Sequence, residues 1–512
     1  MKRFVIAHDL GTTGNKATLF DEEGQMVGSS FVGYATAYAH FGWAEQNPEL
    51  WWSAVCGATR ALLETTNTSA KDVACVAFSG QMMGCVAIDE RARPLRNAII
   101  WADQRAQDQE RALAERIDRR EVYRITGHRL SASYTLCKML WLRDNEPATF
   151  SRAHKFVNAK DAIVARLTGA FVTDLSDASG TNLLDLVEGD WSAPIVAAAE
   201  IDPSVLPELR PATDVVGHIT TAVADEVGLT PGTPVVIGGG DGSCAAAGAG
   251  VIEPGSAYNY VGSSSWIGLA TDTPILDPNQ RTFTWAHLMP GRFSPTGTMQ
   301  AAGASYQWMR DQLSPNEVQA ASALGVSPYE LMNLVASTSP IGADRLLFLP
   351  YLLGERSPRW NPNARGAFIG IDVRHSRADM LRATLEGITY NLRAILEAFR
   401  EQNTRLDSIR VIGGGARGRF WNEMMADVYG LPIERLTYLE EATSMGAALA
   451  GGVGVGLYSG FGMIERMNPV ADAFPPVPAH LPRYEQSYRD FEAAYEALVP
   501  VFDRLARPTT LP

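Results

Sequence analysis

The sequence FVIAHDLGTTGNK, residues 4–16, decides the fold of this 512-residue chain. It begins as a buried apolar strand, residues 4–7, and passes through an aspartate into a turn rich in glycine and threonine. Residues 17–20 follow as a second strand, so the segment is typical of a β-hairpin. Backbone N–H groups in such a turn can surround phosphate oxygens, whereas a plain hairpin turn is the alternative interpretation.

The turn carries the side chains that phosphoryl transfer requires. Asp9 offers a carboxylate that can hold Mg²⁺ directly or through water, and Gly11, Thr12 and Thr13 supply N–H and hydroxyl donors. The segment lacks the G-x-x-x-x-G-K-[ST] pattern, so it is not a P-loop that opens a helix. We therefore expect a phosphate site built on a hairpin.

The same arrangement of strand, turn and strand recurs about 250 residues later, near the start of the second half of the chain. Residues 256–261 form a strand, residues 262–265 a polar turn, and residues 266–270 a second strand. Strands and helices alternate in both halves, which predicts α/β architecture with mixed sheets. We place a domain boundary near residue 250, giving one domain over 1–250 and another over 251–512.

A second candidate carboxylate, Asp241, lies between glycines where the strand of residues 235–237 ends. A helix of small residues is predicted from Cys244 to about Val251, so Asp241 lies near the positive end of the helix dipole and is expected to stay ionised. An ionised carboxylate is a weak base, which still suits phosphoryl transfer because the attacking hydroxyl can lose its proton late. A helix cap is the alternative role for this aspartate.

Two other strand ends carry residues suited to ligands. One strand ends in glycines 413–415, where a flat group such as adenine can approach the backbone, although a tight turn explains these glycines equally well. Another ends in residues 79–84, and a strand predicted over residues 98–101 ends in Trp101 and leads into a loop that carries Asp103 and Arg105. Amide, aromatic and charged side chains at strand ends are typical of a polyol site, while a structural role is the alternative for each residue alone.

The composition excludes several classes of function. Lys and Arg number 44 against 57 Asp and Glu, so the net charge is -13, and this acidic balance is unlike that of a nucleic-acid or anionic-membrane binder. Hydrophobic residues at 46% exclude wholesale disorder. The eight histidines form no H-x-x-x-H pair and no G-x-S-x-G segment is present, which disfavours metalloprotease and serine hydrolase chemistry.

Cysteine usage and the N-terminal residues predict the compartment. The five cysteines are odd in number and none forms a C-x-x-C pair, so neither a disulfide framework nor a cysteine-based zinc site is expected. Only four apolar residues lie between Arg3 and His8, too few for the core of a signal peptide. The uncharged run 446–464 contains seven glycines and is not interpreted as a membrane span. We expect a cytoplasmic protein.

Taken in order, these segments resemble the FGGY carbohydrate kinases, which belong with the actin-like and hexokinase-like ATPases. The resemblance covers nearly the whole chain and rests on two phosphate hairpins, a long C-terminal signature and an adenosine segment, at residues 7–13, 261–264, 366–386 and 413–417. It implies an α/β fold of two actin-like/ribonuclease H-like ATPase domains whose mixed sheets flank a deep cleft. The domain over 1–250 would mainly bind sugar, and the domain over 251–512 would mainly bind nucleotide.

Within this family the resemblance is strongest to the xylulose kinases, through residues 79–82, 101–105, 240–241 and 349–356. Xylulose kinases usually have His at the position of Met83 and Asn at the position of Gly242, and both positions lie in the sugar pocket of the family. Loss of these polar partners changes which hydroxyl groups the pocket holds. Residues 101–103 and 241–242 also resemble gluconate kinases of the same family.

The resemblance implies a role for each matching position. The sugar would contact Gln81, Met82, Met83, Trp101, Asp103, Arg105, Asp241 and Gly242. The nucleotide would contact the two hairpins and the second domain through Gly11, Thr12, Thr13, Lys16, Gly262, Ser263, Ser264, Gly303, Gly414, Gly415, Ala416 and Asn422. Asp241 would be the catalytic base that accepts the hydroxyl proton, and Asp9 and Asp241 would hold Mg²⁺.

The implied activity is transfer of the γ-phosphate of MgATP to a terminal hydroxyl of a small open-chain sugar. The first expectation is conversion of D-xylulose to D-xylulose 5-phosphate, and the alternative acceptors are gluconate, ribulose or another pentulose, and a polyol. A non-sugar actin-like ATPase and a sugar sensor with a degenerate kinase site are the alternatives from other classes. The expected partners are the sugar and MgATP, without nucleic acid or membrane, and a homodimer is left open.

Overall fold

The computed structural model describes residues 3–506. Its strands, in chain order, are β1 Phe4–Leu10, β2 Gly14–Asp21, β3 Met26–Gly33, β4 Glu45–Gln46, β5 Val73–Gly80, β6 Val86–Ile88, β7 Ala98–Ile99, β8 Lys155–Val157, β9 Val172–Asp174, β10 Leu184–Asp185, β11 Asp190–Trp191, β12 Glu208–Arg210, β13 Val215–His218, β14 Pro234–Gly240, β15 Ala257–Val261, β16 Ser265–Leu269, β17 Phe283–Ala286, β18 Phe293–Met299, β19 Leu347–Leu349, β20 Ala367–Ile369, β21 Ile409–Ile412, β22 Ile433–Leu436 and β23 Val470–Phe474. Its α-helices are α1 Pro48–Thr65, α2 Gln107–Ala114, α3 Arg119–Thr126, α4 Thr135–Asn145, α5 Pro147–Arg152, α6 Ala159–Thr168, α7 Leu175–Ala178, α8 Ala193–Ala199, α9 Thr221–Val227, α10 Asp241–Gly248, α11 Gly303–Leu313, α12 Pro315–Leu324, α13 Pro328–Ser337, α14 Arg377–Arg400, α15 Arg419–Tyr429, α16 Ala442–Gly454, α17 Ile464–Met467 and α18 Leu481–Leu505.

Two mixed sheets organise these elements. The first has the order β13-β14-β5-β1-β2-β3, in which β1, β2 and β3 are antiparallel while β5 runs parallel to β1 and to β14. The second has the order β17-β18-β16-β15-β21-β22-β23, in which an antiparallel set is again joined to parallel strands, here β21 and β22. The β1–β2 and β15–β16 hairpins therefore occupy equivalent positions in the two sheets, as the repeat in the sequence predicted.

Register brings the chemistry-bearing residues of the first sheet to one edge. Leu10 on β1 pairs with Gly80 on β5, and Gly80 pairs with Gly240 on β14. These parallel strands end at the same edge, so the residues that follow them emerge side by side. This alignment carries Gln81 and Asp241 toward the hairpin turn after β1.

Helix α16 links the second half of the chain to the first sheet. A Cβ placed on Gly446 would lie 2.0 Å from the carbonyl oxygen of Cys244, and one placed on Gly248 would lie 1.7 Å from that of Ala442. Helices α10 and α16 therefore approach each other at backbone distance, which requires glycine at both positions. The apolar side chains of α16 also pack with β1 and β5 in one hydrophobic cluster.

Two local predictions differ from the structure. The strand expected over residues 98–101 is limited to Ala98–Ile99, because Trp101 already lies in a turn. The helix expected from Cys244 begins at Asp241, with Gly240 as its N-cap. Asp241 is therefore the first residue of the helix rather than part of the loop before it.

The five cysteines and the helical part of the uncharged run 446–464 both lie within the packed protein. All five cysteines are buried and unpaired. Within residues 3–506, none of the helices combines the length and the apolar composition that crossing a membrane requires. The uncharged run 446–464 instead contains most of α16, which packs inside the protein.

Candidate active site

A cavity of about 520 Å³ lies between the two sheets and receives residues from both halves of the chain. The first half contributes the ends of β1, β5 and β14 with the loop that carries Trp101, and the second contributes the β15–β16 turn and the turn after β21. Its lining includes Asp9, Gly11, Met82, Met83, Trp101, Asp241, Gly242, Ser264, Gly413 and Gly414. Segments that are far apart in sequence therefore meet around one cavity.

Asp9 and Asp241 line this cavity at the ends of β1 and β14, and Glu440, just before α16, is a third carboxylate in the lining. Oδ1 of Asp241 accepts a hydrogen bond from the N–H of Gly242 over 2.8 Å. Oδ1 of Asp9 is buried and has no hydrogen-bond partner among the described residues. Because buried polar atoms are nearly always satisfied, this oxygen is suited to a ligand or a cation.

The protonation of Asp241 differs from the sequence-based expectation. Burial, followed by the neighbouring charge of Asp9, raises the pKa of Asp241 to about 7, against the opposing effect of the Gly242 N–H. Burial likewise raises the pKa of Asp9, and the neighbouring Ser79 hydroxyl and then the Lys16 ammonium oppose that rise. Asp241 is therefore only partly ionised near pH 7 rather than fully ionised, because desolvation and a second carboxylate oppose the dipole of α10. A carboxylate with a near-neutral pKa is a stronger base than an ordinary one.

The two predicted hairpin turns both reach the cavity. In the first turn, the N–H of Gly11 donates to the carbonyl of Gly14 over 3.0 Å. In the second, the N–H of Gly262 donates to the carbonyl of Ser264 over 3.0 Å. Gly11 and Ser264 line the cavity, so the turns enclose it from the two sheets.

The remaining predicted residues of these turns fall into two groups. Thr13 and Ser263 are exposed at the tips, while the Thr12 hydroxyl accepts a hydrogen bond from Nε1 of Trp101 over 2.9 Å. Gly303 begins α11, and its N–H donates to the carbonyl of Gly262 over 2.9 Å. A Cβ on Gly303 would lie only 2.4 Å from that oxygen, so glycine is required where α11 supports the second turn.

Lys16 lies on the first hairpin but points to the second half of the chain. Its Nζ donates to the carbonyl of Glu440 over 3.1 Å and lies 3.5 Å from Oε1 of Glu441. Both glutamates directly precede α16. The side chain thus ties the hairpin to the loop before α16, and its predicted contact with phosphate stays a prediction.

The glycine turn after β21 shows one open face and one packed face. A Cβ on Gly414 would have nothing within 4 Å, and this residue lines the cavity. A Cβ on Gly415 would lie 2.4 Å from Cγ1 of Val261, so this glycine allows the turn to pack on β15. Nδ2 of Asn422 donates to the carbonyl of Ala416 over 2.8 Å, while its buried Oδ1 has no described partner. Ala416 and Asn422 therefore hold the turn from behind.

Met82 and Met83 line the side of the cavity that the sequence assigns to sugar. Met83 has a φ of 62°, in the left-handed region, and its carbonyl accepts a hydrogen bond from Nζ of Lys138 over 2.6 Å. Nζ of Lys138 also donates to the carbonyl of Ser133 over 2.5 Å. Lys138 is fully buried, and this burial lowers its pKa to about 7. Lys138, which the sequence did not single out, therefore fixes the backbone of Met83.

The sequence predicts that Asp103 and Arg105 contact the sugar. In the structure neither residue lines the cavity. Asp103 is fully buried, and its carboxylate accepts hydrogen bonds from the guanidinium of Arg105 and from the N–H of Ala44. Arg105 also pairs with Glu45 over 2.7 Å and stacks on Trp43 with its Cζ 3.6 Å from the ring centre. Asp103 and Arg105 therefore support the loop that carries Trp101 from inside the protein, since their charges are compensated by ion pairs there.

Gln81 also lies outside the cavity lining. Its Nε2 donates to Oε1 of Gln46 over 2.8 Å, and Nε2 of Gln46 donates to the carbonyl of Thr12 over 2.6 Å. Two amide side chains thus support the first hairpin from within the protein. Gln46 was missed by sequence reasoning, because it lies before α1 without a motif of its own.

Aromatic side chains and an arginine from the second half complete the cavity. Tyr260 stacks on Trp266 with ring centres 4.0 Å apart, and Trp285 and Arg356 lie in the same lining. The sequence reasoning did not assign these residues to the site. The sequence does hold a signal for Arg356, because this residue ends the segment 349–356 that resembles the xylulose kinases. The aromatic residues lie in predicted strands but belong to no motif that indicates a site.

Two family models cover most of the chain. The N-terminal domain of the FGGY family of carbohydrate kinases matches residues 4–248, and its C-terminal domain matches residues 257–455. The chain belongs to the FGGY family of carbohydrate kinases.

Relatives of this FGGY chain include two curated bacterial enzymes. A gluconokinase of Bacillus subtilis is 32% identical over 508 residues, which cover 99% of this chain and 96% of the gluconokinase. A xylulose kinase of Staphylococcus epidermidis is 34% identical over 502 residues, or 97% of each chain. A crystal structure of gluconate kinase from Lactobacillus acidophilus superposes with a TM-score of 0.91 at 27% identity, covering 99% of this chain and all of that one.

Membership of this family confirms the reaction class and the fold class. The chain is a sugar kinase, a phosphotransferase with an alcohol group as acceptor, and its family implies ATP as the phosphoryl donor. The predicted two-domain α/β fold with mixed sheets is confirmed by the structural match over the full chain.

The carboxylates of this FGGY kinase fit a hard divalent cation. Asp9 and Asp241 supply oxygen ligands in the cavity, and one oxygen of Asp9 is free of protein partners within the described residues. The same part of the chain holds no cluster of three or more His, Cys, Asp or Glu side chains arranged for a metal. Mg²⁺ suits such a site, because it keeps several waters and is usually bound by one or two carboxylates together with substrate phosphates.

Proposed function

We propose that this FGGY kinase transfers the γ-phosphate of MgATP to a terminal hydroxyl of a small open-chain sugar. The observation that carries the proposal is the single cavity lined by Asp9, Asp241 and the turns of two hairpins from different sheets. Residues 1–250 would mainly bind the sugar and supply the base, and residues 251–512 would mainly bind the nucleotide. The unpaired, buried cysteines are in keeping with a reducing compartment, which we take to be the cytoplasm.

The nucleotide is proposed to span the two hairpins. N–H and hydroxyl groups of the turns would donate to phosphate oxygens, from Gly11, Thr12, Thr13, Gly262, Ser263 and Ser264, with Gly303 supporting the second turn. Adenosine would lie on the open face of Gly414, in the turn held by Gly415, Ala416 and Asn422. Lys16 would reach phosphate only after leaving Glu440.

Asp241 is proposed to accept the proton of the attacking hydroxyl. Its place at the cavity end of β14 supports this role. Its pKa in the absence of a cation is raised as well, and a base with a near-neutral pKa takes a proton more readily than an ordinary aspartate. Asp9, with Asp241, would hold Mg²⁺, which neutralises charge on the phosphate oxygens during transfer. Closure of the cleft around both substrates would exclude water, which otherwise competes with the sugar for the phosphoryl group.

The acceptor is proposed to lie against Met82, Met83, Trp101 and Gly242. D-Xylulose is the first candidate, because the motifs around these residues resemble those of xylulose kinases. Gluconate is the second candidate, because Met83 and Gly242 lack the polar groups that xylulose kinases place there and a gluconokinase is 32% identical. Asp103 and Arg105 would support this side of the cleft without touching the sugar, and Gln81 would hold the first hairpin through Nε2.

Acceptor-dependent release of ADP tests the proposal. The purified protein would be assayed with MgATP and, separately, D-xylulose, D-ribulose, D-gluconate and D-glucitol. We expect ADP release to depend on at least one acceptor and the product to carry one phosphate on a terminal oxygen, seen by ³¹P NMR. ATP hydrolysis that no acceptor stimulates would favour a non-sugar ATPase, and acceptor binding without ADP release would favour a sugar sensor.

A further inference from the structure

A second compartment of about 520 Å³ adjoins the catalytic cavity. The two share Met83, Trp101, Phe283 and Arg356 in their linings, so they form one continuous cleft. The second compartment is lined by neither Asp9 nor Asp241 and by no residue of the two hairpin turns. It therefore extends from the sugar side of the cleft, away from the site of phosphoryl transfer.

Two arginines line this compartment without a carboxylate partner. Arg129 donates from Nε to the carbonyl of Gln280 over 2.9 Å, and its Cζ lies 4.6 Å from the ring centre of Trp360. These contacts hold the guanidinium in place but leave its charge uncompensated. Arg356, at the border of the two compartments, likewise forms no ion pair with an Asp or Glu anywhere in residues 3–506.

Neighbouring arginines behave differently. Arg359 pairs with Glu492, and Arg281 pairs with Asp277 over 2.8 Å. Arg281 and Arg359 do not line the compartment, whereas Arg129 does. Of these four arginines, the two that line the compartment are the two without a carboxylate partner.

The one carboxyl group in the compartment lining does not neutralise these arginines. Oε1 of Glu355 accepts hydrogen bonds from the N–H groups of Gln300 and Arg356, each over 2.7 Å. Oε2 of Glu355 accepts from Nδ2 of Asn391 over 2.9 Å. Burial raises the pKa of Glu355 to about 8, which favours its neutral form near pH 7. The compartment therefore keeps a net positive charge.

A partly enclosed guanidinium without an anion is costly and is suited to a ligand that supplies one. We propose that Arg129 and Arg356 form a subsite for the carboxylate of an open-chain sugar acid, whose opposite terminal hydroxyl lies at Asp241. The inference rests on the proposed function and narrows the acceptor to an aldonate. A neutral ketose of similar length would leave the charge of Arg129 unmatched. Arg129, which lies outside the segments that resemble xylulose kinases, is therefore the residue that selects the acid.

Kinetics with acceptors of different charge test the subsite. Wild type, Arg356→Gln and Arg129→Gln would be assayed with D-gluconate and with D-xylulose, and gluconate binding would be titrated by calorimetry. We expect each variant to raise the KM and the dissociation constant for gluconate by about tenfold or more, because an arginine–carboxylate pair is lost. For Arg129→Gln, whose residue lines only the second compartment, the KM for ATP and the KM for any neutral acceptor that is used should stay within about twofold. High salt should weaken gluconate binding more than the binding of a neutral acceptor.

Arg405→Gln is the matched control, since it removes the same charge from an almost fully exposed side chain of the second half. It should leave gluconate binding unchanged. Unaltered gluconate binding in both cleft variants, or phosphorylation of neutral sugars without any use of gluconate, would overturn the subsite. If no acceptor is phosphorylated, the proposed function fails, and the calorimetric titration still decides whether the two arginines bind a carboxylate.

Discussion

The backbone N–H of Gly240 donates a hydrogen bond to Oγ of Ser176 over 2.9 Å, one residue before Asp241. The Ser176 hydroxyl donates in turn to the carboxylate of Asp174, which lies 2.9 Å from Nζ of Lys160. All of these side chains are buried, so the end of β14 is held from inside the protein. The direction of the Asp241 side chain thus depends on a polar chain that does not touch the cavity.

Ser176→Ala should lower kcat for sugar phosphorylation by about tenfold, while the KM for ATP stays unchanged. The substitution leaves the N–H of Gly240 without a partner, and an unsatisfied buried N–H costs about 1–3 kcal/mol. The strand end would then shift, and Asp241 with it. Steady-state kinetics and thermal unfolding, measured on the same preparation, separate the effect on catalysis from the effect on stability.

Ser179→Ala is the control for that experiment. Ser179 is buried in the same segment, but its hydroxyl contacts the carbonyl of Leu175 and the N–H of Ala286 rather than the end of β14. An equal loss of kcat in both serine variants would show that Ser176 acts only through general stability.

Asp241→Asn should reduce phosphoryl transfer to sugar by about a hundredfold or more, because an amide cannot accept the hydroxyl proton. The fold and ATP binding should be kept, since the isosteric amide fills the same space. A coupled ADP-release assay and calorimetric titration with ATP measure the two properties. Asp407→Asn, at a side chain that is 94% exposed, provides the control. Near-normal turnover by Asp241→Asn would remove this residue from the role of base.

The same Asp241→Asn substitution should stabilise the folded protein at alkaline pH. The pKa of Asp241 is raised to about 7 in the folded state, against about 4 for an unfolded chain, so the folded state holds this proton more strongly. Wild type therefore loses stability as pH rises from about 4 to about 7, and the asparagine variant does not. The difference in Tm, variant minus wild type, should be small at or below pH 4, grow between pH 4 and pH 7, and be positive by a few degrees at pH 8.

That difference should be measured by calorimetry without nucleotide and in the presence of a chelator, because a bound cation would lower the pKa of Asp241. Asp407→Asn again serves for comparison and should show no such trend. A Tm difference that is independent of pH would mean that Asp241 is not held in its protonated form by burial and by Asp9.

Met83→His should favour D-xylulose over gluconate. Met83 lines the cavity at a φ of 62°, and histidine is among the residues that enter this left-handed region most readily. An imidazole would add a hydrogen-bonding group for a sugar hydroxyl. We expect the ratio of kcat/KM for xylulose over gluconate to rise several-fold, while Met83→Leu should leave it nearly unchanged. If histidine does not alter the ratio, the Met83 side chain does not contact the acceptor.

Lys138→Met should raise the KM for the sugar without changing the KM for ATP. The buried ammonium donates to the carbonyls of Met83 and Ser133, and methionine removes both hydrogen bonds while keeping most of the volume. The loop that carries Met83 would then be less well ordered. Lys155→Met, at a lysine that contacts carbonyls outside the cleft, is the comparison. Equal KM values for sugar in both variants would contradict a positioning role for Lys138.

Much of the fold and part of the site were predictable from local sequence patterns. The two hairpins, the strand before Asp241 and the glycine turn after β21 each depend on short-range rules of turn chemistry and strand periodicity. Their functional residues sit at strand ends, where position along the chain indicates position in the sheet. For this reason the sequence indicates Asp9, Asp241 and Gly414 as site residues, although it does not show that they line one cavity.

The sequence could not distinguish residues that face the cavity from residues that support it. Asp103 and Arg105 belong to the motifs that indicated a sugar site, yet their charged groups pair with each other inside the protein. Gln81 uses its Nε2 on Gln46, while its Oε1 is buried without a partner among the described residues. No sequence motif marks Lys138 or Arg129. The role of Lys138 depends on the carbonyl of Met83, which is distant in sequence. The role of Arg129 depends on a distant carbonyl, that of Gln280, and on the lack of a carboxylate partner.

The sequence by itself determined the reaction class, the repeated hairpin and the mixed sheets, because these follow from local motifs in a given order. Only the tertiary structure decided which charged groups are paired and which ionisable groups have a shifted pKa. Burial beside Asp9 gives Asp241 a near-neutral pKa, and enclosure without a carboxylate leaves Arg356 positive in the cleft. The physical reason is that desolvation and charge pairing depend on which groups meet in space, and that is set by the packing of segments far apart along the chain.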